Sequence, residues 1–210
     1  MRVMLINGSP REFGCTFTAL SEVASVLNEE NVETEIFQAG KDVRGCIACY
    51  RCSEGRCALP DDIVHAAREK ALNADGFVFG SPVYYAAASA QITALLNRLF
   101  FSGSGAFKNK PGAAVVSCRR AGSTAALEQL NKYLIISQML LVGSQYWPMV
   151  HGNNPDEVRR DLEGMQTMRV LGRNLAWVLK SIDAGRAAGI SLPHQEEKRF
   201  RTNFIEPNRE

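Results

Sequence analysis

Apolar residues run without interruption from Val3 to Ile6 inside the segment Arg2 to Ile6, and Gly8, Ser9 and Pro10 then break the run. A short buried strand and a turn are predicted there. Phe17, Leu20, Val23, Ala24 and Leu27 recur at helical spacing over Thr16 to Leu27. Val32 to Phe37 alternates apolar or threonine positions with Glu33 and Glu35, the pattern of a half-exposed strand at a sheet edge. Pro60, Asp61 and Asp62 mark a helix start for Ile63 to Leu72, and Gly76 to Gly80 is a fully apolar strand that ends in Ser81 and Pro82. Ser89 to Phe100 puts Ile92, Leu95, Leu96 and Leu99 on one helical face, and a strand over Gly112 to Ser117 follows. A helix over Thr124 to Gln138, a strand over Leu140 to Tyr146 and a helix over Asp156 to Ser181 complete five βα units. Parallel strands need crossovers, and crossover helices cover both faces of a sheet. The pattern therefore predicts an α/β, doubly wound, five-stranded parallel sheet with helices on both faces.

Composition narrows the function classes. The 210 residues carry 24 Lys and Arg against 22 Asp and Glu, a formal charge of +2, too balanced for a nucleic-acid or anionic-membrane partner. The longest uncharged stretch, Tyr133 to Pro155, is interrupted by Ser137, Gln138, Gly143, Ser144, Gln145 and Pro148. It falls short of the roughly 20 predominantly apolar residues of a membrane span. The N-terminus lacks the basic start, apolar core and small-residue cleavage site of a secretory signal, so a cytoplasmic location is expected. Residues 1–183 read as one domain holding a cysteine-rich loop at 45–58, and 184–210 as an appended arm or tail without periodicity.

Ligands of an open parallel sheet bind outside the carboxyl ends of its strands, where three unusual loops fall. The first, Gly8 to Thr16, offers backbone N–H groups, hydroxyls and Arg11 before a helix, which are the parts of a phosphate cradle. It matches neither G-x-x-x-x-G-K-[ST] nor G-x-G-x-x-G, which disfavours the nucleotide-triphosphatase and dinucleotide fingerprints. The second, Ser81 to Ser89, sets Tyr84 and Tyr85 beside small residues and suits a planar ring system. The third, Ser117 to Ser123, adds amides and the cations Arg119 and Arg120. A capped βα turn, core tyrosines and solvated arginines are the plain alternatives for the three taken singly. His65 and His194 are expected at the surface, while His151 is placed at the end of the last strand.

Asn7-Gly-Ser-Pro-Arg11 with Thr16 and Thr18, Ser81-Pro-Val-Tyr-Tyr85, the Cys118 to Gly122 turn and a cysteine cluster occur here together. In that combination the chain resembles the NAD(P)H-dependent FMN reductases of the flavodoxin-like superfamily, especially the iron–sulfur flavoproteins. The resemblance covers residues 1 to about 180 and implies a strand order of 2-1-3-4-5. It places Ser9, Arg11, Cys15, Thr16 and Thr18 around the FMN phosphate, with Phe17 among the cofactor-binding residues of the same turn. Pro82, Val83, Tyr84, Tyr85 and Ala86 would lie along the isoalloxazine ring, and Ser117, Cys118, Arg119, Arg120 and Gly122 around its pyrimidine end. Cys15 stands where the family frequently has Asn, and a thiol is the poorer hydrogen-bond donor.

Cys46, Cys49, Cys52 and Cys57 are spaced C-x2-C-x2-C-x4-C. Four thiols this close favour a compact [4Fe-4S] cluster, ahead of a zinc site, which usually unites two separated pairs, and of free or disulfide-paired thiols. The resemblance makes such a cluster an electron relay. The expected activity is oxidation of NAD(P)H by bound FMN with electrons passed to a small-molecule acceptor or a redox partner protein. A homodimer or homotetramer is expected, because the cysteine loop leaves the second strand on the phosphate side and has to reach a flavin of its own chain or of a neighbour. Two competing readings are a non-enzymatic flavodoxin-like carrier and a zinc-stabilised, flavin-free module that binds a phosphorylated ligand.

Overall fold

The computed structural model describes residues 1–60, 62–194, 197 and 200. Strands β1 (Arg2–Asn7), β2 (Glu33–Gln38), β3 (Gly76–Tyr84) and β5 (Pro111–Cys118) form the body of a parallel sheet. The sheet is completed by β6 (Leu140–Leu141) and β7 (Met149–His151), and β4 (Ala87–Ala88) folds back antiparallel on β3. The order is β2-β1-β3-β5-β6, with β7 also paired to β5. That is the expected flavodoxin-like order with its last strand divided. Asn7, Cys118 and His151 all end their strands at one edge.

Helices α1 (Cys15–Glu29) and α6 (Leu162–Ala187) cover one face, and α2 (Asp62–Leu72), α3 (Ala90–Gly103) and α4 (Ser123–Ile136) the other. β1, β3 and β5 are buried on both faces because each is apolar at successive positions, and the two faces take alternate residues: Val3 and Leu5 pack toward α1, Met4 and Ile6 toward α2 and α3. Under α3, Phe77, Phe79, Phe100 and Phe107 form one aromatic block, with Phe100 and Phe107 stacked at 4.2 Å. Complete burial of each such ring contributes about 1.5–3 kcal/mol. β2 is an edge strand with only Phe37 buried, as its alternation predicts.

Three expectations need correction. The strand predicted over Leu140 to Tyr146 is not continuous. Ser144 donates its hydroxyl to Thr167 O at 2.7 Å and Asn174 donates to Gly143 O at 2.9 Å, so α6 holds the middle of the segment off the sheet. The chain regains β5 at Pro148, whose carbonyl accepts the Val116 N–H at 3.0 Å. The loop expected over Ser81 to Ser89 is largely a hairpin, because Val83 and Tyr84 pair with Ala88 and Ala87 across a two-residue turn. The helix predicted over Asp156 to Ser181 is split into α5 (Pro155–Arg160) and α6 at Asp161, whose side chain caps α6 by accepting the Gly164 N–H at 2.9 Å. α6 then continues through residue 183 to Ala187, so the helix crosses the boundary expected between domain and arm. Residues 201–210 of that arm lie outside the described residues. Among the described residues no helix is long and apolar enough to cross a membrane.

Candidate functional site

Between β1 and α1 the chain is braced by one buried side chain. Asn7 donates to Glu12 O at 2.9 Å and to Gln38 Oε1 at 2.7 Å, and its Oδ1 accepts the Ser9 N–H at 3.1 Å. Gln38 donates in turn to Ser9 O at 2.7 Å, and the Ser9 hydroxyl accepts the Arg11 N–H at 3.1 Å. Gly8 is required here by space, since a Cβ would lie 2.4 Å from that of Ile92. The loop delivers the chain to Gly14, the N-cap of α1, which has no side chain to cap the helix. The first-turn N–H groups of a helix have no intrahelical acceptors, so this end is left as a set of oriented donors with a partial positive charge.

Thr16 lies in that first turn with its hydroxyl 2.9 Å from the Ser117 hydroxyl, which ties α1 to the end of β5. The hairpin beyond β3 turns through Tyr85 (φ 49) and Ala86 (φ 59), both left-handed and neither glycine. Its base is held by Ser89, which donates its hydroxyl to Gly8 O at 2.6 Å and its N–H to the Ser81 hydroxyl at 2.8 Å. Against the tip sits Gly122 (φ 87), where a Cβ would come 2.7 Å from Ala86 Cα.

These pieces enclose a cavity of about 210 Å³ at the carboxyl edge of the sheet. Ser9, Arg11, Cys15 and Thr16 border it from the first loop, Pro82, Val83 and Tyr84 from the second, and Ser117, Cys118 and Arg119 from the third. Ten residues singled out from sequence thus meet in one place. The others do not border it. Thr18 is buried and donates to Gly14 O at 3.2 Å, Phe17 packs edge-on to Phe13 at 5.1 Å, and Ala86 backs onto Gly122. Tyr85 and Arg120 point into solvent.

Gly152 and Asn153 also border the cavity and were missed by sequence reasoning. The signal available was Gly-Asn-Asn after the last strand, a turn sequence without a recognised chemical motif. Glu157 holds this turn, accepting from the Asn153 N–H at 2.7 Å, and that bond keeps its carboxyl below the ordinary 4.5. His151 does not border the cavity, and its ring and N–H face Asp161 instead. Burial pushes both the Cys15 and the Cys118 thiols up. With both thiols neutral, the charges at the walls are Arg11 and Arg119, and the cavity suits an anion.

The cysteine loop lies apart, against α2 and α3. Cys57 is buried, Cys49 and Cys52 are half-buried and Cys46 is exposed. Burial raises the Cys52 thiol, and Cys57 and Cys49 add to the rise, so these three are electrostatic neighbours. The Arg51 N–H lowers the Cys49 thiol. The four do not converge: among the described residues no three Cys, His, Asp or Glu side chains are grouped as a metal ion requires. In kind and number the donor set fits an iron–sulfur centre. His65, expected at the surface, is half-buried and bonds the Cys57 carbonyl at 2.9 Å through Nε2.

A recess walled by two arginines and a hairpin lies at the carboxyl edge of a parallel sheet of order β2-β1-β3-β5-β6, and comparison with known proteins places this arrangement. The sequence profile of the NADPH-dependent FMN reductase family matches residues 1–154. The chain belongs to this family. It is 35% identical over 193 residues to an iron–sulfur flavoprotein of Methanocaldococcus jannaschii, an alignment covering 87% of this chain and 99% of that one. RosB, solved with a bound 8-demethyl-8-formylriboflavin-5'-phosphate intermediate, superposes with a TM-score of 0.70 at 14% identity over 99% of this chain and 93% of RosB. The NAD(P)H:quinone oxidoreductase of Methanothermobacter marburgensis gives a TM-score of 0.64 at 18% identity, covering 83% and 98%. The chain is a flavodoxin-like flavoprotein oxidoreductase dependent on FMN.

Proposed function

We propose that the cavity holds FMN and that the protein oxidises NAD(P)H, passing the electrons to a small-molecule acceptor or a redox partner protein. The observation that carries the reading is the uncapped N-terminus of α1, opening beside Arg11 onto the cavity of about 210 Å³. A phosphate there accepts from the first-turn N–H groups and from the Ser9 and Thr16 hydroxyls, while Arg11 offsets its charge. Phe17 and Thr18 support the turn from behind. Pro82, Val83 and Tyr84 give the ring one flat side, with Tyr85 and Ala86 setting the bend of the hairpin. Ser117 and Cys118, with the amides before Gly122, line the pyrimidine end, where Arg119 stabilises negative charge and Arg120 adds to the local potential. FMN, when bound, supplies the two-electron acceptor and the means to release electrons again.

Cys46, Cys49, Cys52 and Cys57 are the proposed ligand set of a [4Fe-4S] cluster. Support comes from their spacing and from curated relatives named iron–sulfur flavoproteins. Loading would draw the four side chains together. The protein is read as a cytoplasmic homodimer or homotetramer.

The deciding experiment is an absorption spectrum of protein purified without oxygen, read beside iron and sulfide content, followed by addition of NADH or NADPH. Flavin bands that bleach within seconds, with stoichiometric iron, are expected. Flavin that resists both nicotinamides would make the protein a carrier, and absence of flavin after reconstitution would end the FMN reading.

A further inference from the structure

Arg98 is 1% exposed, on the inner face of α3. A guanidinium does not lose its proton in a protein, so its charge is permanent and has to be met by polar or anionic partners. Its Nε donates to Cys57 Sγ at 3.3 Å and its Nη1 to Arg44 O at 3.2 Å. One side chain therefore grips the cysteine loop on both sides, two residues before Cys46 and at Cys57 itself. A neutral thiol is a weak acceptor, whereas a ligand thiolate is a strong one.

The surrounding loop is built in the same sense. Arg68 donates from Nε to Gly55 O at 2.6 Å and from Nη2 to Glu54 O at 3.1 Å, fixing two residues of left-handed backbone (φ 73 and 49) just before Cys57. Gly103 is close enough that a Cβ would lie 2.8 Å from Gly55 O. Residues 44–58 contain three arginines and a single glutamate, a positive setting for an anionic centre. Helix α3 also begins at Ser89, which is bonded to Gly8 of the cavity loop. Nine residues at 1.5 Å rise put Arg98 about 14 Å along that helix from the cavity end.

We infer that Arg98 is the positioning residue of the cysteine centre, orienting Cys57 Sγ through an N–H···S hydrogen bond and supplying the fixed positive charge against which an anionic cluster is held. The inference rests on the reading of the four cysteines as an iron–sulfur ligand set. A hydrogen bond to a ligand sulfur and a buried cation both favour the more negative, reduced centre. Arg98 thus raises the reduction potential of the cluster as well as the affinity of the loop for it.

The test compares the full-length wild type, Arg98→Lys and Arg98→Met, each reconstituted without oxygen with iron and sulfide. The readouts are iron per chain, rate of iron loss to a chelator, and cluster midpoint potential. Flavin content and thermal midpoint report folding. In protein labelled with 15N at the arginine guanidinium nitrogens, electron–nuclear double resonance of the reduced cluster is expected to show a coupled arginine nitrogen that persists in Arg51→Lys, which removes the other guanidinium beside a cluster cysteine, a readout independent of whether the Arg98 variants fold. Arg98→Met is expected to hold the cluster about tenfold less tightly, with a more negative potential. Arg98→Lys is expected to retain the charge while losing the coupling. Wild type that takes up no iron would overturn the cluster reading and the inference with it. Loaded wild type without arginine coupling, or folded variants with unchanged potential and iron retention, would overturn the role of Arg98 and leave the cluster reading standing.

Discussion

Asn7 shows how a single amide sets the geometry of the cavity loop. It is fully buried and serves three partners, so Asn7→Ala strands the Ser9 N–H, the Glu12 carbonyl and Gln38 together. A loss of about 1–3 kcal/mol in denaturant unfolding is expected, along with weaker retention of flavin. Arg11 has the opposite profile. It is exposed. Arg11→Ala is expected to leave the thermal midpoint within about a degree or two of wild type, as for most surface changes, and to weaken FMN binding roughly ten- to a hundredfold, the worth of one charge-assisted phosphate contact. Equilibrium titration of apoprotein with FMN measures this, and unchanged affinity would remove Arg11 from the phosphate site. Arg11 was legible because a cation after Gly-Ser-Pro has an obvious chemistry. Asn7 was legible only as the first residue of the Asn-Gly-Ser-Pro-Arg run, and its bracing role appears only when Glu12 and Gln38 arrive beside it.

At the scale of elements, the hairpin after β3 and the turn before α4 are matched surfaces. A residue other than glycine in the left-handed region costs about 1–2 kcal/mol, and the hairpin carries two such residues. Ala86→Gly is therefore expected to raise the thermal midpoint modestly, because the tip is relieved of that cost and loses only a methyl group. Gly122→Ala should do the reverse. It adds a Cβ 2.7 Å from Ala86 Cα on a backbone at φ 87, so hairpin and turn have to separate. A drop of at least about 1–2 kcal/mol is expected, with a redshift or loss of the bound-flavin spectrum. Both glycine effects were invisible in the sequence, where Gly122 reads as the end of the Cys118 to Gly122 turn expected around the pyrimidine end of the flavin. Whether a turn tolerates a side chain depends on what another segment places against it.

For the whole molecule, the groups with shifted acidity predict how stability follows pH. The Glu157 carboxyl ionises more readily folded than unfolded, since it accepts the Asn153 N–H. The unfolded chain then binds more protons as pH falls, and stability is lost below about the ordinary 4.5. Glu157→Gln is expected to flatten that acid limb in urea unfolding between pH 6 and roughly pH 3, while a slope equal to wild type would assign the acid loss elsewhere. On the alkaline side, burial holds Cys15 and Cys118 above 9.0, so the unfolded chain releases these protons first. Stability falls as pH rises past 9.0 until the folded thiols ionise. The expected thermal optimum lies between these limbs, where Arg11 and Arg119 face neutral thiols.

Alternating apolar strands and helical stripes were enough to specify the parallel sheet, its two helical layers and the edge at which ligands bind, because those features follow from local periodicity and from the need to bury both faces. The cavity loop and the cysteine spacing were equally plain, since each is a contiguous run of recognisable residue types. Other features depended on contacts between residues far apart. Thr167 and Asn174 pull the middle of the last strand away from β5, Gly152 and Asn153 enter the cavity because β7 returns to the sheet beside Cys118, and Arg98 meets Cys57 across 41 residues. No local pattern encodes such meetings. They are set by which side chains the packed helices bring within hydrogen-bonding distance.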